Sequence, residues 1–338
     1  MPTPKRPAPR RPSKRAPVAD TPALFDGPSA LDGPSALDGS SPLDGPSPLG
    51  AGTAPRPPPG PVRFGTSSFT APGWVGAFYP EGTRPADFLR CYAREFDTVE
   101  VDATYYAVPS ARTVDGWAEK TPAGFVVAAK FPRAIVHGGD DEHPDPARIL
   151  TLDAIGAQRD AFLGVMARLG PRLGPLVLQF PYFNRTAFPS VGPFLERLDA
   201  FLGALPPGPS YAVEVRNKAW VAPPLREVLA RHHTALVLVD QAWMPHGDEV
   251  ERAMDPVTGD HVYVRLLGDR KAIEAITTTW DREVIDHGDR LARWAALLAR
   301  LEARGLKIFV YVNNHYAGHA PATVRRLRAM YEAQRAKG

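Results

Sequence analysis

Residues 88–103 read FLRCYAREFDTVEVDA, and the spacing of their apolar side chains changes from that of a helix to that of a strand. Phe88, Tyr92 and Phe96 recur every four residues, which places them on one face of a helix. Residues 98–103 then alternate valine with acidic side chains, which is typical of a strand with two different faces. The stretch therefore predicts an amphipathic helix followed directly by a strand.

The same helix-to-strand change recurs through the rest of residues 62–338. Further apolar helix faces occur around Leu198, Leu298 and Leu327. Eight strands that alternate with helices over about 250 residues predict an α/β fold of the (β/α)8 TIM type. Residues 241–260 hold two prolines and two glycines and predict an irregular loop in place of one helix. The predicted strands span residues 62–66, 98–103, 125–130, 176–180, 211–216, 235–240, 261–266 and 308–313.

The first 61 residues have a different composition from the remainder. They contain 17 of the 38 prolines and a single aromatic residue, Phe25. A hexapeptide beginning Phe/Leu-Asp-Gly recurs from Phe25, Leu31, Leu37 and Leu43. A segment so poor in large apolar side chains cannot bury a core. We therefore predict a disordered N-terminal tail at residues 1–61 and one barrel domain at residues 62–338.

Overall composition narrows the class of protein. The formal net charge of +3 is too small to indicate an obligatory nucleic-acid or anionic-membrane partner. A single cysteine, Cys91, rules out an intramolecular disulfide framework and fits a cytoplasmic location. No apolar run is long enough to span a membrane, and no secretory signal opens the chain. Neither a GxGxxG fingerprint nor a P-loop is present.

Polar residues end most of the predicted strands. Because barrel active sites lie at the carboxyl ends of the strands, these residues are the candidate functional set. Strand alternation places Glu100 with Asp102, and Glu214 with Arg216, on one face of their strands. The alternative is that these charges fill the barrel interior and pair only with each other. The strand-end set is Thr66, Ser67, Ser68, Glu100, Asp102, Lys130, Gln179, Glu214, Arg216, Asp240, Arg265, Asn313, Asn314 and His315.

Several blocks of the chain resemble the domain of unknown function 72 family, also called YecE-like. They include GTSSF at 65–69, FDTVEVDATYY at 96–106, LQFP at 178–181, VEVR at 213–216, YVR at 263–265 and YVNNHY at 311–316. The resemblance covers about residues 62–330 and includes His137. It implies a TIM-type barrel and no established activity. Phe69, Asp102 and Tyr105 stand where tryptophan, asparagine and phenylalanine are common in the family.

The mixture of cations and carboxylates at the strand ends suits an enzyme that acts on a small or polymeric anionic substrate. We expect Arg216 and Arg265 to bind a phosphate or carboxylate, with Glu100 or Glu214 as general acid or base. Lys130 is either a third anion contact or a Schiff-base nucleophile, and Asp240 is a further catalytic candidate. The remaining candidates for substrate binding are Gln179, Asn313, Asn314, His315, Thr66, Tyr105 and His137.

Three other functions fit the same residues. A metal-assisted phosphodiesterase or nuclease would take ligands from a set of five residues, so a divalent metal stays an option although no cofactor motif is evident. Glu100 and Glu214 also fit the paired carboxylates of a glycosidase. The third function is a non-catalytic module that binds anions or nucleic acid. Nucleic-acid binding would use exposed aromatic side chains among basic ones. The aromatic cluster from Trp74 to Tyr106 has few basic residues between its members and is better interpreted as a core plug or lid. The five metal-ligand candidates are Glu100, Asp102, Glu214, Asp240 and His315.

Overall fold

The structure, a computed structural model, describes residues 60–139, 141 and 143–337. The predicted disordered tail lies outside the described residues apart from Gly60 and Pro61. The first strand begins at Val62, where the predicted barrel domain begins. Within the described residues, no helix has both the length and the apolar surface needed to cross a lipid bilayer.

Eight parallel strands form one sheet, which confirms the predicted TIM-type barrel. The hydrogen-bonded order runs β1-β8-β7-β6-β5-β4-β3-β2, so β1 and β2 are the two ends of the sheet and meet at a seam. All eight strands lie where the sequence predicts them, with ends shifted by a few residues. The strands are β1 (Val62–Thr66), β2 (Thr98–Val101), β3 (Val126–Lys130), β4 (Leu173–Gln179), β5 (Tyr211–Glu214), β6 (Ala235–Gln241), β7 (His261–Gly268) and β8 (Lys307–Val312).

Helices cover the outside of the sheet and bury the apolar faces that the sequence predicts. Phe194, Leu298 and Leu327, for example, are fully buried against the strands. The helices are α1 (Phe88–Glu95), α2 (Ala111–Lys120), α3 (Arg133–Val136), α4 (Leu152–Met166), α5 (Val191–Gly203), α6 (Pro223–Arg231), α7 (Gly247–Ala253), α8 (Arg270–Glu274), α9 (Gly288–Glu302), α10 (Asn314–Ala317) and α11 (Ala320–Arg335).

The α7 helix corrects the prediction of an irregular loop at residues 241–260. His246 and Glu249 form a reciprocal capping box at its N-terminus. Gly247 allows close contact with Trp294 of α9, because a Cβ there would lie 2.6 Å from the indole. Arg293 of α9 donates to Asp248. This helix depends on contacts with α9 that a local sequence pattern does not reveal.

Tyr92 of α1 closes the seam between β1 and β2. Its hydroxyl accepts a hydrogen bond from the Thr66 backbone N–H at 2.8 Å and donates to the Thr98 carbonyl oxygen at 3.1 Å. Gly65 is required at the same place, because a Cβ would lie 2.1 Å from the Thr98 oxygen. A side-chain hydroxyl therefore replaces part of the missing backbone ladder.

Replacing Tyr92 with phenylalanine should lower the free energy of unfolding by about 1–3 kcal/mol, because the buried Thr66 N–H loses its acceptor. Urea unfolding of the full chain measures this difference. Tyr182→Phe is the matched control, since Tyr182 is 46% exposed. Equal stability of Tyr92→Phe and the control would mean that the hydroxyl does not hold the seam.

Candidate functional site

A buried guanidinium lies at the centre of the barrel near the carboxyl ends of the strands. Arg265 of β7 donates from Nη2 to Glu100 Oε1 at 2.8 Å and from Nη1 to Glu214 Oε2 at 2.5 Å. The same Nη1 lies 2.8 Å from Gln179 Oε1. Arg265 is 1% exposed, and both glutamates are fully buried. We call these four residues the barrel floor.

Two further residues complete the hydrogen bonding of the floor carboxylates. Tyr263 donates to Glu100 Oε2 at 2.6 Å, and Arg216 donates from Nε to Glu214 Oε1 at 2.6 Å. Burial would raise the pKa of Glu214, but Arg265 and Arg216 lower it to about 2. Burial opposes and Arg265 favours ionisation of Glu100 as well, and the net pKa shift is downward. Both carboxylates are therefore ionised at neutral pH.

A cavity with about 650 Å³ of empty space, including the part open to solvent, lies above the floor. Arg265 forms its base, whereas Glu100 and Glu214 are not on its surface. The cavity thus exposes the cations of the network and covers two of its carboxylates. Its lining residues are Asp102, Tyr105, Tyr106, Lys130, Gln179, Arg216, Gln241, Arg265, Leu267, Gly268, Arg270, Asn313 and His315.

Asp102 and Lys130 form an ion pair in the wall of this cavity. Asp102 Oδ1 lies 2.7 Å from Lys130 Nζ, and the side chains are 27% and 10% exposed. The Thr104 hydroxyl lies between the two strand ends, 3.2 Å from the Lys130 N–H and 2.8 Å from the Lys130 carbonyl oxygen. Burial raises the pKa of Asp102 to about 6, although Lys130 opposes this shift. Asp102 is therefore the carboxylate on the cavity surface that titrates near neutrality.

Asp240 does not reach the cavity. It accepts hydrogen bonds from Trp294 Nε1 at 2.7 Å and from the Tyr316 hydroxyl at 3.0 Å, and Arg290 covers it on the helix side. Asp240 faces the helices because neighbouring side chains of a strand point to opposite faces. The β6 strand extends one residue beyond the prediction, to Gln241, and Gln241 is the residue on the inner face. Asp240 holds α9 and α10 against the sheet, and Gln241 lines the cavity in its place.

Thr66 and Asn314 also lie outside the cavity lining. The Thr66 side chain faces α1, where its hydroxyl donates to the Tyr92 hydroxyl at 2.9 Å. Asn314 Oδ1 accepts hydrogen bonds from Trp74 Nε1 at 3.3 Å and from the Ala320 N–H at 3.0 Å. Both residues therefore connect parts of the fold around the site, because their side chains point away from the barrel axis.

The other candidates for substrate binding lie at or beside the cavity. Tyr105 lines it, and its hydroxyl is 2.9 Å from Nε2 of His137, which is buried behind it. Asn313 Oδ1 accepts from the His315 N–H at 2.9 Å, and His315 Nε2 lies 3.1 Å from Glu274. The structure thus brings together strand ends that are far apart in sequence.

The aromatic cluster after the first two strands is divided between two locations. Trp74 and Tyr79 are buried and pack against Phe78, which agrees with the interpretation as a core plug. Tyr105 and Tyr106 instead form part of the cavity lining. Only the second pair is therefore positioned to contact a ligand in the cavity.

Five residues of the lining were not among the predicted candidates: Tyr106, Gln241, Leu267, Gly268 and Arg270. Strand alternation would have indicated Gln241 and Leu267 if the ends of β6 and β7 had been placed correctly. The register between these strands shifts at Asp240 and Gln241, and such irregularities are common beside active sites. Arg270 follows β7 in a short helix, and no local pattern in the sequence singles it out.

The five predicted metal-ligand candidates do not converge. Two of them are bonded to Arg265, and Asp240 faces the helices. Across the described ranges, no group of three or more histidine, cysteine, aspartate and glutamate side chains has the arrangement of a metal site.

Comparison with known proteins identifies the family. The sequence model for the family described as "Protein of unknown function DUF72" matches residues 63–337. The chain belongs to the DUF72 family. Its match confirms the resemblance seen in the sequence blocks and covers nearly all of the barrel.

Two curated relatives of this DUF72 protein come from well-known bacteria. It is 36% identical over 135 residues to UPF0759 protein YecE of Escherichia coli (strain K12), covering 40% of this chain and 43% of that protein. It is 27% identical over 157 residues to UPF0759 protein YunF of Bacillus subtilis (strain 168), covering 46% and 52%. The matched part of the chain spans about half the length of these curated relatives.

A solved DUF72 structure has the same fold. The crystal structure of a DUF72 family protein from Thermotoga maritima matches with a TM-score of 0.59 and 26% sequence identity. The match covers 80% of this chain and 99% of that chain. A DUF72 family protein from Enterococcus faecalis, at 18% identity and a TM-score of 0.55, shows the fold alone.

Sulfate binding to this DUF72 protein should become tighter as the pH falls. Protonation of Asp102 below about pH 6 removes the carboxylate beside Lys130, so an anion meets less repulsion. Titration calorimetry from about pH 8 to about pH 5 should show a gain of about tenfold, equivalent to a one-unit rise in the Asp102 pKa on binding.

The Asp102→Asn variant should lose this pH dependence, because no proton is exchanged at that position. Asp160→Asn is the matched control on the surface, where the Asp160 side chain is 65% exposed. A pH dependence that survived in Asp102→Asn would assign the titration to another group.

Proposed function

We propose that this DUF72 protein is an enzyme that acts on a small anionic substrate by general acid/base chemistry in the cavity above the barrel floor. The observation that carries this proposal is the charge of the lining, in which four cations accompany one carboxylate, Asp102. A location at the carboxyl ends of the strands supports it, because TIM-barrel enzymes hold their active sites there. The four cations are Lys130, Arg216, Arg265 and Arg270.

Two of these cations, Lys130 and Arg216, bind the substrate in this proposal. Lys130 and Arg216 lie on the surface of the cavity, whereas Glu214, which pairs with Arg216, lies beneath it. An anion in the cavity therefore approaches Arg216 more closely than Glu214, although Asp102 lies beside Lys130 on the same surface. Arg216 donates to Glu214 through Nε, which fixes the plane of its guanidinium group. Such a fixed donor orients a phosphate or carboxylate rather than only attracting it.

Asp102 transfers the proton. Its pKa of about 6 leaves it mostly ionised at neutral pH, so it is available as a general base. Once protonated, it can return the proton as a general acid in a later step. Lys130 Nζ, 2.7 Å away, stabilises negative charge on Asp102 or on the substrate. We assign this role to Asp102 in place of Glu100 and Glu214, whose pKa values are lowered and whose oxygens are occupied within the floor.

The ion pair with Asp102 also bears on the proposed role of Lys130. A lysine that forms a Schiff base must be neutral when it attacks a carbonyl group. The Lys130 Nζ atom is instead held in an ion pair with Asp102 Oδ1 at 2.7 Å. We therefore assign Lys130 to anion binding.

Turnover of phosphorylated and carboxylated small molecules by the full chain tests the proposal. The wild-type protein should convert at least one compound of such a collection. Asp102→Asn should lower kcat for that compound by about 10²–10⁴-fold, the usual contribution of a positioned acid or base. Its affinity for the compound should change much less, because the cations of the lining remain.

Asp160→Asn serves again as the surface control and should retain full activity. Wild-type activity in Asp102→Asn would contradict the assignment of the proton transfer. Tight binding of anions with no turnover of any compound would favour the non-catalytic binding module instead.

A further inference from the structure

The polar groups of the cavity are not distributed evenly around the barrel. The strands β3, β4 and β5 are neighbours in the sheet and supply Lys130, Gln179 and Arg216 to one side of the lining. Gln179 Oε1 lies 2.8 Å from Arg265, so its amide nitrogen, a donor, is the group left for a ligand. This side of the cavity therefore offers hydrogen-bond donors and positive charge.

The opposite side is formed by β6, β7 and β8, which are also neighbours. Gln241, Leu267 and Asn313 line it, and none of them carries a charge. The basic residues above this side are Arg270 and His315, and both contact Glu274, at 2.9 and 3.1 Å. The Glu274 carboxylate offsets the charge of Arg270. The second side is therefore close to neutral and still able to form hydrogen bonds.

Gln241 provides an acceptor that the protein itself does not use. The residue is 6% exposed, and its Oε1 atom is buried without a hydrogen-bond partner among the described residues. An unpaired buried acceptor is unfavourable until a donor reaches it. Sulfate and acetate have only acceptor oxygens at neutral pH and cannot satisfy this atom. A ligand hydroxyl group can do so.

We propose that the substrate is a polyhydroxylated anion, a sugar phosphate or a sugar acid, whose charged group lies over β3–β5 and whose hydroxyl groups face Gln241 and Asn313. This inference rests on the proposed function and specifies its substrate class. Leu267, Tyr105 and Tyr106 add apolar surface on which the C–H faces of a sugar can pack.

Titration calorimetry on the full chain tests this substrate class. The probes are the common pentose and hexose phosphates and the matching sugar acids, compared with sulfate, acetate and the neutral sugars. At least one sugar phosphate or sugar acid should bind about tenfold more tightly than its simple anion. The phosphate and acid series distinguish the two charged groups. Neutral sugars should bind weakly, because they do not engage Lys130 and Arg216.

The Gln241→Met variant isolates the acceptor, since methionine has a similar length and no amide oxygen. It should reduce the advantage of the best sugar anion to about threefold or less while leaving the affinity for the simple anion unchanged. Gln158→Met is the matched control, because Gln158 is exposed on α4. An unchanged advantage in Gln241→Met would overturn the assignment of the hydroxyl contact.

The outcomes separate this inference from the proposed function. If simple anions bind as tightly as every sugar anion, the anion site stands and the polyol inference is wrong. If neutral sugars bind as tightly as their phosphates, the anionic substrate itself is wrong. If no probe binds, both proposals fail together.

Discussion

The burial of one guanidinium group governs the upper half of the barrel. Arg265 is taken out of water at the barrel axis, and a buried cation is tolerated only when carboxylates and hydrogen bonds surround it. Its partners come from β2, β4 and β5, none of which shares a backbone ladder with β7. Removing one member of such a network costs about 3–5 kcal/mol, because it leaves a charge unpaired. The network thus ties together strands that the sheet hydrogen bonds do not join directly.

This constraint divides the acidic residues into two groups. Glu100 and Glu214 are committed to Arg265, so their pKa values are lowered and they remain ionised. Asp102 lies two residues beyond Glu100 on the same face of the chain, at the cavity surface. Burial raises its pKa to about 6, and Lys130 is its nearest cation. A structural carboxylate within β2 and a titrating one just after its end are therefore only two residues apart.

The sequence predicted the architecture well and the site less well, for physical reasons. Strand and helix periodicity depends on nearby residues, so all eight strands could be located from the pattern alone. The α7 helix was missed because its stability comes from Trp294 and Arg293 of α9. A contact between distant segments leaves no local pattern in the sequence.

The prediction of the site was wrong at the end of β6, where the strand is one residue longer than predicted. Because side chains alternate between the two faces of a strand, this difference of one position led to Asp240 being predicted in the cavity lining in place of Gln241. The ring of strand-end charges was expected to hold a ligand or to pair internally. The structure divides the ring, since Glu100 and Glu214 are buried in pairs with Arg265, whereas Lys130, Arg216, Arg265 and Asp102 line the cavity.

The most direct test of this account is anomalous diffraction from a crystal of the full chain soaked in selenate. The account predicts one selenate in the cavity, in contact with Lys130 and Arg216, while Arg265 keeps its bonds to Glu100 and Glu214. The selenium signal locates the anion without reference to any assumed pose. Two results would contradict the separation of a structural floor from a ligand-binding cavity. One is a selenate bound elsewhere, and the other is an Arg265 side chain that leaves Glu100 and Glu214 to bind the selenate.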